Sequence, residues 1–260
     1  MELAELFIEK GTNVNQIRHY DSPLTIACKS DRDSLKLVEL LIKNGADVNQ
    51  LDLFGCSPIY HACEKGDKAM VELLMKNGAD VNRYKRIYRC FSINLPIQVA
   101  CEYGRTKLVK YLVENGAKLE GLGYSLFDII CKNYNDESLE LIKYLVDHGV
   151  DVNDDPYNKG YPMRIACSIG DRALPLVKYF ATIGVDLNCA DKNGMYPIHI
   201  ACKQGSGAIK IIKYLIGKGV NVSVRTRFNE LPSSLTNNVE ILLLLAAERI
   251  SQYIRKLCNP

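Results

Sequence analysis

Residues 50 to 82 read QLDLFGCSPIYHACEKGDKAMVELLMKNGADVN. Ser57 before Pro58 offers a helix N-cap hydroxyl followed by proline at the first helical position, where its missing N–H costs nothing. A short helix through Ile59, Ala62 and Cys63 to Gly66 follows, with small residues on one face that let a neighbour approach closely. Val71, Leu73, Leu74 and Met75 give a second helix a broad apolar face. Gly78 stands where a helix ends in the left-handed conformation that glycine adopts without penalty. The segment ADVN then leads on into the next turn.

The same pattern runs along the chain. Cys28, Cys63, Cys101, Cys131, Cys167 and Cys202 are separated by 35, 38, 30, 36 and 35 residues, and five of the six follow an alanine. Gly11, Gly45, Gly78, Gly116, Gly149, Gly184 and Gly219 recur at steps of 34, 33, 38, 33, 35 and 35, each closing a helical pattern. Two independent markers share one period, which is the signature of a stacked array whose units touch only their neighbours. One such unit cannot bury its apolar side alone, so stability must come from stacking.

Ser57-Pro58-Ile59-Tyr60-His61-Ala62, Ser22-Pro23-Leu24-Thr25-Ile26-Ala27 and Tyr196-Pro197-Ile198-His199-Ile200-Ala201 resemble the ankyrin-repeat signature T-P-L-H-x-A. The endings NGADVN and IGVDLN resemble that family's G-A-D-V-N. The resemblance implies an all-α repeat solenoid of stacked helix-turn-helix units with projecting β-hairpin-like turns, forming a single domain over 1 to 260. It sets a half unit at 1 to 15 and repeats at about 16–49, 50–82, 83–120, 121–153, 154–188 and 189–223, with a C-terminal capping unit at 224–260. The fourth repeat departs most, because Ser125-Leu126-Phe127-Asp128 lacks the proline. The half unit at the N-terminus either caps the array or continues a longer chain.

Composition fits an intracellular protein in a reducing, cytoplasmic compartment. The ten cysteines include no C-x-x-C pair and no zinc-ligand spacing. The N-terminus has no secretory leader, and the longest apolar run, ILLLLAA at 241 to 247, is far too short for a membrane span. A formal charge of +3 implies no polyanionic partner by itself.

No catalytic constellation, metal site or cofactor is expected. His19, His61, His148 and His199 fall in different repeats and read as isolated structural or surface residues, none paired at helical spacing with Asp, Glu or Cys; His199 matches the family's structural histidine. The serial cysteines read as packing residues. Cys56, Cys90, Cys189 and Cys258 lie outside that series and are expected to be the exposed thiols. Lys110-Tyr111, Lys143-Tyr144, Lys178-Tyr179 and Lys213-Tyr214 recur in the second helices, and half-buried tyrosines beside solvated lysines account for them.

The resemblance implies a module that grips another protein with its turn fingers and first helices. By position, the contact candidates are Leu51, Leu53 and Phe54 with Glu64 and Lys65; Glu102 and Tyr103; Tyr157 and Asn158; and Lys192 and Asn193. Leu51, Leu53 and Phe54 either form a recognition site or pack on a neighbouring finger. That neighbour is unusual: Asn49 precedes Pro58 by nine positions, whereas Asn82 precedes Pro96 by fourteen. The added residues belong to RYKRIYRCFSIN, 83 to 94, where Arg83, Lys85, Arg86 and Arg89 interleave with Tyr84 and Tyr88. Such a basic finger suits an acidic segment of a partner protein. Nucleic acid is the weaker reading, since one short patch on a nearly neutral chain carries no nucleic-acid motif. Phe228-Asn229-Glu230-Leu231-Pro232-Ser233-Ser234-Leu235 faintly resembles the start of an F-box, which would make the protein an adaptor for a ubiquitin ligase. The chain is expected to be monomeric by itself.

Overall fold

A computed structural model describes residues 2–30, 34–83, 95–153 and 161–258. They contain fourteen α-helices and no strands, in the two compact units Met1–Leu119 and Glu120–Pro260. None of these helices is long and apolar enough to cross a membrane.

In the first unit, α1 (Glu2–Glu9) precedes three helix pairs. These are α2 (Pro23–Lys29) with α3 (Ser34–Lys43), α4 (Pro58–Lys65) with α5 (Lys68–Lys76), and α6 (Pro96–Glu102) with α7 (Thr106–Glu114). The first helices begin as the sequence predicts: Ser22 and Ser57 accept the N–H of Thr25 and Tyr60, and Pro23 and Pro58 occupy the first turn. The small residues Ala27, Cys28, Ala62, Cys63, Ala100 and Cys101 are buried, and on that face α2 packs on α4 and α4 on α6. The second helices supply the larger apolar side chains, among them Val38, Leu74 and Leu112.

The second unit contains α8 (Gly123–Lys132), α9 (Ser138–Asp147), α10 (Tyr161–Ile169), α11 (Leu174–Thr182), α12 (Pro197–Lys203), α13 (Ile209–Gly217) and α14 (Val239–Cys258). The repeat without a proline still forms its first helix: α8 starts at Gly123 and buries Leu126, Phe127, Ile130 and Cys131. Phe127 meets Phe180 edge to face at 5.9 Å. In the last repeat a 3-10 helix, Pro232–Leu235, replaces the first helix and packs on α12 and α14. The residues with the F-box likeness thus keep the repeat register.

The second helices α3, α5, α7, α9, α11 and α13 close the same way. Gly78 has φ 87°, and the chain turns there so that the Ala79 N–H reaches the Leu74 carbonyl at 3.0 Å. In the first unit the Asn at the end of the segment that follows then ties one repeat to the next. Asn15 donates to the Gly45 carbonyl at 2.8 Å and accepts the Asp47 N–H at 2.7 Å. Asn49 does the same with Gly78 and Asp80, and Asn82 with Gly116 and Lys118.

Candidate functional site

Three of the described turns are fingers, each built on one side chain. Asp52 Oδ1 accepts the N–H groups of Phe54 and Cys56, both at 2.9 Å, while the Asp52 N–H bonds the Cys56 carbonyl. Asp191 does this for Asn193 and Met195, and Thr226 Oγ1 for Phe228 and Glu230. The local geometry pushes the two residues after the anchor outward. Leu53 and Phe54 are therefore 57% and 53% exposed, and Lys192 and Asn193 are exposed in the second unit.

Neighbouring fingers are linked through their backbones. The Leu53 N–H donates to the Tyr20 carbonyl at 3.0 Å, and the Arg227 N–H to that of Asn193 at 2.9 Å. Phe54 stacks on Tyr20 with ring centroids 5.6 Å apart. Tyr20 is itself exposed, in a tight turn where His19 has φ 61°. Leu53, Phe54 and Tyr20 form one exposed apolar patch on a turn held by hydrogen bonds.

Of the other candidates in the first unit, Leu51 is half-buried, and Arg83 and Glu102 are exposed. The Tyr103 hydroxyl donates to Glu64 Oε1 at 3.4 Å. The Lys65 ammonium bonds the Ser30 carbonyl at the end of α2. Tyr84, Lys85, Arg86, Tyr88 and Arg89, and Tyr157 and Asn158, lie outside the described residues. Tyr20, Ile26 and Phe228, all exposed, were missed in the sequence. Phe228 and Phe54 each stand four residues before a finger's proline, and that shared register was the available signal.

Two expectations are corrected here. His61 is not isolated: its Nε2 meets Asp52 Oδ2 at 2.9 Å and its Nδ1 meets Glu64 Oε2 at 3.4 Å. Cys56 is not an exposed thiol but is buried beside them, because the finger folds back over it. Asp52, Cys56 and His61 each bring one donor atom within 4.8 Å of the others, a set of atom types that a divalent metal accepts. The hydrogen bonds already made give this cluster a structural role, joining finger to first helix. Burial raises the Asp52 carboxyl, but the His61 hydrogen bond, the Cys56 N–H and the nearby His61 and Lys29 outweigh it and hold the group below its ordinary value. The Lys29 ammonium stands 3.5 Å away and also binds Asp21.

The serial thiols are packing groups. Desolvation pushes Cys28, Cys101, Cys131, Cys167 and Cys202 up to about 12, and Cys63 higher still. Cys189 is half-buried and Cys258 exposed, while Cys90 lies outside the described residues. His199 is fully buried, accepting the Tyr196 N–H at Nδ1 and donating from Nε2 to the Glu230 carbonyl. Burial lowers its pKa below the usual 6.5.

The second unit adds a groove of about 410 Å3 beside α8, α10 and α12. Its lining is charged in both signs: Asp128 takes the Tyr161 hydroxyl and the Lys132 ammonium, and Arg164 donates to the Cys189 carbonyl at 3.1 Å. Arg164 is buried, two residues after Pro162, as His199 is two after Pro197. Such a lining offers hydrogen bonds and ion pairs to a polar chain segment.

A family model described as ankyrin repeats, in three copies, matches residues 1–85, 24–121, 128–226 and 163–255. Comparison with curated proteins finds no match.

Proposed function

We propose that this chain, which belongs to the ankyrin-repeat family, is a noncatalytic interaction module that binds another protein through its fingers and first helices. The observation that carries the reading is the exposed patch of Leu53 and Phe54, on a turn pinned by Asp52, with Tyr20 of the preceding turn stacked on Phe54. Ordering these side chains on binding costs little entropy, because the turn is already fixed, so burying them converts efficiently into affinity. Glu64, Lys65, Glu102 and Tyr103 join this proposed surface in the first unit, and Lys192 and Asn193 form the second unit's own proposed contact. Arg83, at the start of the basic finger, is exposed and favours a partner segment that is acidic. The protein works in the reducing cytoplasm, where its free thiols persist.

The test is affinity capture from native lysate with wild type, Leu53→Glu/Phe54→Glu and Arg86→Glu/Arg89→Glu. The expected result is a set of proteins held by wild type in high salt and lost with the first variant, with weaker, salt-sensitive recovery for the second. Equal recovery by all three forms would refute the finger surface. Capture of nucleic acid that collapses in salt would move the function to phosphate binding.

A further inference from the structure

Two helices turn an apolar stripe away from the repeats they pack on. In α1, Ala4 and Ile8 are half-buried, while Leu3, Leu6 and Phe7 stand 66%, 48% and 55% exposed. In α14, Ile241 and Leu245 are buried, and Gln252 follows on the same face with its amide on the Val220 carbonyl. Opposite that face, Leu243, Ile250, Tyr253, Ile254 and Leu257 are all more than half exposed. A helix that simply closes an array carries a polar outer face; the outer face of this one carries five large apolar side chains between Leu243 and Leu257.

The two stripes match each other in pattern and oppose each other in charge. With Leu3 and Ile250 as heptad a positions, Leu6 and Tyr253 are d, and Phe7 and Ile254 are e. Glu2 and Glu9 then occupy g in α1, and Arg249 and Lys256 occupy g in α14; all four are exposed. When two helices pair antiparallel, g residues lie across from g residues, and such flanking charges choose partner and orientation. An α14–α14 pair would set arginine and lysine against each other, and an α1–α1 pair glutamate against glutamate. Only the mixed pair places Glu2 across from Lys256 and Glu9 across from Arg249.

We propose that α1 of one copy docks antiparallel on the outer half of α14 of a second copy. This replaces the monomer expected from the sequence. The contact is heterologous, joining copies head to tail, so association either propagates or closes into a ring. An eight-residue helix spans only about 12 Å. The buried area is correspondingly small, and a dissociation constant of roughly 10 µM to 1 mM is expected.

Sedimentation of the full chain from about 10 µM to 1 mM in low salt tests this, over the range in which such an interface dissociates. The mass should rise with concentration above that of the monomer. Leu6→Glu/Phe7→Glu removes one face and Tyr253→Glu/Ile254→Glu the other; each variant alone should remain monomeric. Their equimolar mixture should form a heterodimer and stop, since one intact interface remains between them. Glu2→Lys/Glu9→Lys should weaken wild-type association at least threefold, and adding Arg249→Glu/Lys256→Glu should restore it. Circular dichroism establishes that each variant is folded. A wild type monomeric at the highest concentration would overturn the proposal. So would an α1-face variant that associates as well as wild type, because the contact would then be between α14 helices.

Discussion

Asp52 shows how one side chain sets the shape of a binding surface. Its carboxylate holds two N–H groups of the finger and the imidazole of His61 on the following helix. Removing it strands those donors. Asp52→Ala should cost about 2–4 kcal/mol in chemical denaturation, and capture by Leu53 and Phe54 should weaken as their turn loosens. Asp52→Ala with unchanged stability would show that the cluster holds nothing. The thiols give a second test at this scale. In the native protein a thiol reagent should modify Cys258 fast and Cys189 slower, and Cys28, Cys63, Cys101, Cys131, Cys167 and Cys202 only after unfolding. Mass spectrometry of timed samples reads this directly. The serial cysteines were legible because they repeat beside alanine. Cys56 was not, because its burial depends on a fold-back hydrogen bond that no local pattern announces. His61 stands one position past the family's histidine, so the motif was silent about it, although Glu64 three residues on was a helical-spacing signal that went unused.

At the scale of elements, the helices were legible and the links between them only partly so. Ser-Pro starts and glycine ends are local rules, and they were enough to set the register even for α8, where apolar spacing replaced the missing proline. The Asn of ADVN recurs just as visibly. Its partners, the glycine carbonyl and backbone N–H of the next repeat, lie about one period away, so its role needed the stacked geometry. Asn49→Ala deletes one donor and one acceptor of that ladder. A loss of about 1–3 kcal/mol is expected, with faster amide exchange at Asp80; exchange there no faster than in wild type would show that the ladder contributes nothing. Gly194 tests the link between fingers. It has φ 74°, and a Cβ there would lie 2.9 Å from the Arg227 backbone nitrogen. Gly194→Ala should cost about 2–4 kcal/mol and expose the Arg227 amide to exchange. The basic stretch from 83 to 94 is an insertion by count alone, from Asn82 to Pro96, and residues 84–94 lie outside the described residues.

Across the whole molecule, the two units carry different acid triggers. In Glu120–Pro260, His199 is held neutral by burial, with its pKa below 6.5. The unfolded chain therefore takes up a proton at a higher pH than the folded unit does. The stability His199 contributes is complete above pH 6.5 and falls as the pH drops through its lowered folded value. Protonation also takes away the lone pair that accepts the Tyr196 N–H. In Met1–Leu119, the lowered pKa of Asp52 acts the same way from a lower start: its contribution is present above the unfolded value of 3.8 and is lost below that. Acidification should therefore loosen α12 and the turn around Glu230 before it loosens the Asp52 finger. Hydrogen exchange at pH 7, 5 and 3, corrected for intrinsic rates, should show protection around 196–203 falling by pH 5 while that around 52–61 persists until near pH 3. His199→Gln keeps an acceptor and a donor without a titrating group, and should abolish the first step alone. If both segments lose protection together, or if His199→Gln leaves the earlier step in place, the acid response does not arise at these two side chains.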